Sequence, residues 1–220
     1  MMTSRHLSPS GLNALVLVAH PDDETLWCGG WMLLHRSWNW RIHTLCRASD
    51  RDRAPKFRRL LRYLGAKGDM ADLDDGPDQT PLPREQLEDA VQALLGSASE
   101  TDVLFTHGQR GEYTRHRRHE ECHQAVARLW RQGHIRPKEV WCFAYEDGSG
   151  SSLPKVREDA DHRVLLPEAI WLEKRRIITD IYGFAEDSWE VRAAPRQEGF
   201  KCLEAIPAPS HVEDFKEEQA

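Results

Sequence analysis

The sequence predicts an α/β fold: a single domain in which helices flank a mostly parallel sheet. Segments with strand and helix patterns alternate along the chain, as they do when crossover helices connect parallel strands. The first predicted strand, residues 12–19, is a nearly continuous apolar run, which is typical of a strand covered on both faces. A length of 220 residues fits one domain with a sizeable core.

The other elements follow from the spacing of apolar residues. Strands are predicted over residues 40–46, 102–106 and 139–145, and helices over residues 24–37, 54–64, 83–95, 116–132 and 167–182. Gly65 ends the second of these helices. Gly29 and Gly30 lie within the first helix, where each costs about 1 kcal/mol relative to alanine, so we expect the sheet or a ligand to approach the backbone closely there.

Three segments have a composition typical of loops. Residues 69–82 are acidic and rich in proline and glycine, which predicts a loop, with a short strand at 69–73 as an alternative. Residues 147–166 are rich in glycine and serine and then charged, which predicts a lid or a pair of short strands. Residues 207–220 predict a flexible tail after a domain that spans residues 1–206.

Composition narrows the class of protein. The formal net charge of −6 gives no overall basic field, which argues against general nucleic-acid binding. The five cysteines are odd in number and form no CxxC pair, which favours a reducing compartment. No stretch approaches the roughly 20 apolar residues of a membrane span, and the amino terminus has no signal-peptide pattern. These features predict a soluble, cytoplasmic protein.

The first chemically informative motif is His-Pro-Asp-Asp-Glu at residues 20–24, directly after the first strand. Carboxylates at the end of a buried strand are costly unless they are paired, solvated or bound to a metal. Ligands of open α/β sheets bind at the carboxyl ends of the strands. Zinc prefers imidazole and carboxylate ligands, so one carboxylate can bind the metal while its neighbour faces a water. The alternative is a solvated acidic turn that caps the following helix.

The second motif spans residues 106–119 and also follows a predicted strand, so it can lie on the same edge of the sheet. His116 and His119 are three residues apart and therefore share one helix face. One histidine could complete a metal site while the other donates a proton or stabilises an oxyanion. The alternative is a surface helix with solvated histidines.

The two motifs together resemble a known family. A strand followed by A-H-P-D-D-E and Gly-Gly, with a later G-E-Y and H-x-x-H, is similar to the zinc-dependent LmbE-like, or PIG-L-like, N-acetylglucosaminyl deacetylases. The resemblance covers residues 13–130, with a weaker similarity around Lys174. It implies a Rossmann-like fold and hydrolysis of an N-acetyl group from an amino sugar or its conjugate. It also implies a small-molecule or glycoconjugate partner and leaves the oligomeric state open.

The resemblance also implies roles for individual residues. His20, Asp23 and His119 would bind zinc, although this ligand set also accepts iron(II). Asp22 would be the general base that activates a water, and His116 would stabilise the oxyanion or protonate the leaving amine.

Two further residues would contact the substrate. Arg53, with Arg51 as the second choice, would be the arginine that the family places after its second strand. Asp75 would accept hydrogen bonds from sugar hydroxyls. Both assignments come from the resemblance alone.

The chain departs from the family pattern within the second motif. Arg118 occupies the position of an aspartate that orients the first histidine, and an arginine cannot accept a proton from imidazole. Thr114 and Arg115 replace a single glycine. The orienting partner must therefore come from elsewhere, or the role of His116 is weakened. The added basic residues would favour an anionic substrate, such as a nucleotide-sugar or a phosphorylated glycan.

Two other functions remain open from the sequence. Residues 119–123 match H-E-x-x-H, the zinc-peptidase signature with two histidines one turn apart. This reading leaves the residues 20–24 motif unexplained. The other function is a non-catalytic domain of the same fold that binds a sugar or another metabolite.

Overall fold

The computed structural model describes residues 11–96 and 100–204. Within these ranges the strands are β1 Asn13–Val18, β2 Asn39–Cys46, β3 Lys67–Leu73, β4 Glu100–Thr106, β5 Arg136–Phe143, β6 His162–Leu165 and β7 Gln197–Cys202. The α-helices are α1 Asp23–Leu34, α2 Arg53–Leu64, α3 Arg84–Leu95, α4 Arg117–Arg131, α5 Glu168–Arg176 and α6 Trp189–Ala193. A π-helical turn, Ile177–Ile181, continues α5.

The strands form one sheet in the order β3-β2-β1-β4-β5-β7-β6. The first five are parallel, and β7 pairs in the antiparallel sense with both β5 and β6. This confirms the predicted single-domain, mostly parallel α/β fold, and the order β3-β2-β1-β4-β5 is that of a Rossmann-like sheet. In register, Leu17 of β1 lies between His43 of β2 and Thr106 of β4. The chain therefore leaves β1 and β4 side by side, where both sequence motifs begin.

The central strand β1 is buried on both faces, as its apolar run predicts. Ala14, Val16 and Val18 belong to one core cluster, which includes Trp27 of α1. Leu15 and Leu17 belong to the core cluster on the opposite face of the sheet, together with residues of α3 and α4. Burial on both sides fixes the point at which β1 ends and the polar motif begins.

Four parts of the fold differ from the sequence prediction, and one of them is the short helix α6, where no helix is predicted. Residues 67–73 form a full strand, the alternative to the predicted loop. The single helix predicted over 167–182 ends as an α-helix at Arg176 and continues as a π-helical turn. The strand β7 was not predicted because Gln197–Cys202 lacks an apolar alternation and carries a buried glutamate. The domain boundary predicted at residue 206 lies outside the described residues.

The buried glutamate Glu198 ties β7 to α1. Its carboxylate accepts the backbone N–H groups of Gly30 and Trp31, each at 2.7 Å, and the Lys174 ammonium at 2.7 Å. Both charged side chains are fully buried. A Cβ atom on Gly30 would lie 2.3 Å from Leu166 Cδ1, so a close approach is present at Gly30, where a side chain makes it, and not at Gly29. We refer to the contacts of Glu198 with Gly30, Trp31 and Lys174 as the Glu198 clip.

We expect Glu198→Gln to lower the free energy of unfolding by about 3–5 kcal/mol, because it leaves the Lys174 ammonium buried without a counter-charge. Urea denaturation measures the change. The double variant Glu198→Gln/Lys174→Met should recover much of the loss, since no uncompensated charge remains. Glu146→Gln, which breaks the exposed ion pair of Glu146 with Lys155, is the matched control and should change stability little. Equal stability of Glu198→Gln and the wild type would contradict this account of the Glu198 clip.

Candidate active site

A cavity of about 320 Å³ opens at the carboxyl ends of the parallel strands. Its lining includes every site residue predicted from the sequence: His20, Asp22, Asp23, Arg53, Asp75, His116 and His119. The two motifs therefore meet at one edge of the sheet, as predicted from the ends of the first strand and of the strand at 102–106. Arg51, the second choice for the substrate arginine, is not part of the lining.

Three donor atoms at the base of the cavity form a compact triangle. His20 Nδ1 lies 3.1 Å from Asp23 Oδ2, and His119 Nε2 lies 3.3 Å from each of these two atoms. In a tetrahedral zinc site with bonds of roughly 2.0–2.1 Å, ligand atoms lie about 3.3–3.4 Å apart. The donor types and their separations therefore fit a zinc ion. We call His20, Asp23 and His119 the donor triangle.

Glu112 orients one member of the donor triangle. Its Oε2 lies 2.5 Å from His119 Nδ1, and its Oε1 lies 2.8 Å from Nδ1 of the buried His107. A carboxylate only accepts, so each Nδ1 donates a proton to the hydrogen bond with Glu112. His107 Nε2 accepts the backbone N–H of Ala19 at 2.9 Å and therefore carries no proton, whereas His119 Nε2 faces the donor triangle. Burial alone would raise the pKa of Glu112, but the two imidazoles lower it to about 2.

His20 is oriented by Asp75. The Asp75 Oδ1 atom lies 3.1 Å from His20 Nε2, and its Oδ2 accepts Arg47 Nε at 2.9 Å. A carboxylate on the far nitrogen of a metal-binding histidine fixes the ring and its tautomer. Asp75 thus lines the cavity, but the structure engages both of its oxygens with protein groups.

Arg118, the departure from the family pattern, does not point at His116. Its side chain is 2% exposed and donates to the backbone carbonyls of Asp74 at 2.6 Å and Thr80 at 2.7 Å, and to Glu121. These bonds hold the loop that carries Asp75. Arg118 therefore supports His20 through this loop, and Glu112 orients His119.

His116 lies beside the donor triangle without a carboxylate partner. Its ring stacks on His119 at a centroid distance of 4.4 Å and meets His20 edge-on at 4.9 Å. Its Nδ1 is buried and makes no hydrogen bond with any residue in the described ranges. Burial, together with the nearby His119, lowers the pKa of His116 to about 4. The imidazole is therefore neutral and is held by ring packing.

Asp22 faces the cavity from a strained backbone. Its φ of 132° is a conformation that side chains rarely adopt. The buried Glu24 accepts the Asp22 N–H at 3.0 Å and the Tyr182 hydroxyl at 2.7 Å. The Asp22 side chain makes no helix-capping bond and instead accepts Arg53 Nη1 at 3.0 Å. Burial and the neighbouring Asp23 raise the pKa of Asp22. These contacts do not fit the alternative of a solvated capping turn.

The H-E-x-x-H residues do not converge on one cavity. His123 Nδ1 donates to the backbone carbonyl of His107 at 2.9 Å, and His123 lines a separate cavity behind the site. Glu120 pairs with the exposed Arg115. None of the candidate metal groups among residues 11–96 and 100–204 includes His123.

Several residues of the site have no role in the sequence prediction. His107 and Glu112 lie within the second motif, and a polar residue at the end of β4, His107, is the signal that could have identified them. Trp27 donates its indole N–H to Asp23 Oδ1 at 3.3 Å, which leaves Oδ2 for the donor triangle. Trp189 and Glu190 also line the cavity. They come from α6, and no motif in the sequence connects them to the site.

Comparison with protein families settles the resemblance. A model of the GlcNAc-PI de-N-acetylase family, PIG-L, matches residues 15–130. The chain belongs to this family. Membership supports an enzyme of the LmbE type that removes an acyl group from an amide. No match was found among curated proteins.

Solved structures share the fold of this PIG-L family member. The 4-carboxy-2-hydroxymuconate hydratase GalB from Pseudomonas putida KT2440 has a TM-score of 0.60 and 14% identity, over 91% of this chain and 99% of its own. The A40926 pseudoaglycone deacetylase Dbv21 has a TM-score of 0.54 and 14% identity, over 87% of this chain and 95% of its own. No helix in the described part of the chain is long and apolar enough to cross a membrane.

The strain at Asp22 predicts an inverted order of stability for two substitutions. At ordinary backbone angles alanine is more stabilising than glycine by about 0.4–1 kcal/mol, but a positive φ removes this advantage. We therefore expect Asp22→Gly to be more stable than Asp22→Ala in urea denaturation. Both variants lose the carboxylate, so their difference isolates the backbone. A more stable Asp22→Ala would show that the strain is absent in solution.

Proposed function

We propose that this protein is a metal-dependent deacetylase that removes the N-acetyl group from an amino sugar or glycoconjugate, with zinc as its metal and iron(II) as the alternative. One observation carries the proposal: the donor triangle and a separate carboxylate, Asp22, line the same cavity. A single metal with a carboxylate beside it that is not one of its ligands is an arrangement suited to amide hydrolysis by an activated water.

His20, Asp23 and His119 would hold the metal through the three atoms of the donor triangle. When bound, the metal would polarise the amide carbonyl and lower the pKa of water. Glu112 and Asp75 would keep the two imidazoles in the tautomers that binding requires, because each accepts a hydrogen bond from the ring nitrogen that faces away from the triangle.

Asp22 would act as the general base. It accepts a proton from water as the water oxygen attacks the acyl carbon, and this proton then passes to the amide nitrogen as the C–N bond breaks. The products are acetate and a free amine. Arg53, which donates to Asp22 Oδ2 at 3.0 Å, keeps the carboxylate in place, and its guanidinium packs over the Phe184 ring at 4.6 Å.

His116 would donate a hydrogen bond to the oxygen on which negative charge develops. A neutral imidazole held by ring packing is suited to this role, since it polarises a carbonyl without giving up its proton. Contact of Arg53 and Asp75 with the substrate stays part of the proposal. Their present hydrogen bonds, to Asp22 and to His20, assign each of them a positioning role as well.

We also propose that the protein works in the cytoplasm. All five cysteines are free thiols and four of them are buried, which suits a reducing compartment.

Asp22→Asn should lower acetate release by about 10²–10⁴-fold, the usual contribution of a general base. The measurement uses the zinc-loaded protein and a panel of N-acetylated sugars, with metal content determined on the same samples. Asp52→Asn, at an exposed carboxylate paired with Lys56, is the control and should keep full activity. An Asp22→Asn variant as active as the wild type would exclude this mechanism. Failure of the zinc-loaded wild type on every sugar would favour a non-catalytic binding domain.

Metal analysis separates the proposed site from the peptidase alternative. We expect Asp23→Ala to lose near-stoichiometric zinc, because it removes one corner of the donor triangle. His123→Ala should retain zinc, since His123 bonds to the carbonyl of His107 and lines another cavity. Zinc is quantified by elemental mass spectrometry after each variant has been dialysed against buffer that contains trace zinc. The opposite pattern would support the H-E-x-x-H site.

A further inference from the structure

An aromatic wall forms one side of the active-site cavity. Trp27, Tyr113 and Trp189 all line it. The Tyr113 and Trp189 rings stack at a centroid distance of 4.2 Å with an angle of 29° between their planes, and Trp27 continues the stack at 6.1 Å and 28°. We call these three rings the aromatic wall. Two members come from the family-matched part of the chain, and Trp189 comes from α6, beyond it.

The aromatic wall is fixed with respect to the donor triangle. The Trp27 indole N–H donates to Asp23 Oδ1 at 3.3 Å, so the first ring is bonded to a proposed metal ligand. Ser188 caps α6 by accepting the Val191 N–H at 3.3 Å, and the Val191 side chain is 2% exposed. The third ring therefore stands on a capped and anchored helix. The wall lies beside the donor triangle in the folded chain and needs no movement to form.

The charges of the cavity argue against an anionic ligand. Five carboxylates line it: Asp22, Asp23, Asp75, Glu112 and Glu190. The two guanidiniums in the lining are already paired, Arg53 with Asp22 and Arg47 with Asp75. Glu190 forms no ion pair with a cation of the described ranges. Even with a divalent cation bound, the lining carries no excess positive charge, so a phosphate group entering it would meet net repulsion.

The two basic residues from which the sequence predicts an anionic substrate place no unpaired positive charge in the cavity. Arg118 is buried and bonded to Asp74, Thr80 and Glu121. The Arg115 side chain is 72% exposed and pairs with Glu120. Neither residue belongs to the cavity lining.

From these observations we infer that the cavity selects an uncharged or cationic pyranose and rejects phosphorylated sugars. The partly exposed members of the aromatic wall, Tyr113 and Trp189, pack against the apolar face of the sugar ring, with the buried Trp27 behind them. Glu190 accepts hydrogen bonds from the hydroxyl or amino groups of the sugar. A volume of about 320 Å³ is at the small end of ligand pockets, which suits one sugar ring with its acetamido group. The inference rests on the proposed deacetylase function and narrows its substrate class. Trp189 and Glu190 are its specificity-determining residues.

The test compares methyl N-acetyl-β-glucosaminide with N-acetylglucosamine 1-phosphate on the zinc-loaded protein. Acetate release gives kcat and KM, and calorimetry gives Kd for both sugars. We expect a higher kcat/KM for the methyl glycoside. Trp189→Ala should raise its KM roughly threefold to tenfold with kcat nearly unchanged, and Trp189→Phe should keep most of the affinity because it retains a ring. Glu190→Gln should lower the ratio of kcat/KM for the methyl glycoside to kcat/KM for the sugar phosphate. Glu186→Gln, exposed and outside the cavity lining, is the control.

Preference of the wild type for the phosphate would overturn the inference, and so would a preference that Glu190→Gln leaves unchanged. Absence of acetate release from either sugar would count against the proposed function, and calorimetry then decides the inference separately. Tighter binding of the methyl glycoside that weakens in Trp189→Ala would support the aromatic wall as a sugar site. Equal binding by wild type and Trp189→Ala would overturn it.

Discussion

The carboxylate of Glu112 is the contact on which the rest of the site depends. One of its oxygens accepts a hydrogen bond from His119 Nδ1 and the other accepts a hydrogen bond from His107 Nδ1. The first bond prepares His119 Nε2 for the donor triangle. The second leaves His107 Nε2 to hold the backbone of Ala19, at the end of β1, from which His20 follows. A single buried side chain therefore sets the geometry of both motifs, the one that follows β1 and the one that follows β4.

The residues that the sequence identified correctly as neighbours are those whose position follows from strand ends. His20, Asp22 and Asp23 follow β1, and His116 and His119 open the helix after β4. Because β1 and β4 are adjacent and parallel, their carboxyl ends bring these side chains together without further information. The fold class follows from the alternation of strand and helix patterns, and the burial of β1 on both faces follows from its apolar run.

Other features depend on side-chain directions that no local pattern encodes. Glu112 directly follows a turn at Gly111, which has a φ of 76° and where a Cβ would lie 2.5 Å from the Thr114 carbonyl oxygen, and from this turn its carboxylate reaches His119. Arg118 reads in the sequence as the loss of an orienting aspartate. In the structure it serves another loop, since its direction is set by the carbonyls of Asp74 and Thr80. Trp189 reaches the cavity through tertiary packing, although it lies about seventy residues after His119 in the chain.

The Glu198 clip connects the segment that matches the family model to the chain beyond it. The family match ends at residue 130, yet two backbone N–H groups of α1 are satisfied by a side chain at residue 198. The contacts that stabilise the matched segment therefore extend beyond the match. Both members of the buried charge pair, Lys174 and Glu198, lie beyond residue 130, and the helix that follows the residues 20–24 motif contributes the backbone N–H groups of Gly30 and Trp31. Removal of the chain beyond residue 130 would therefore leave two N–H groups of α1 without their carboxylate acceptor.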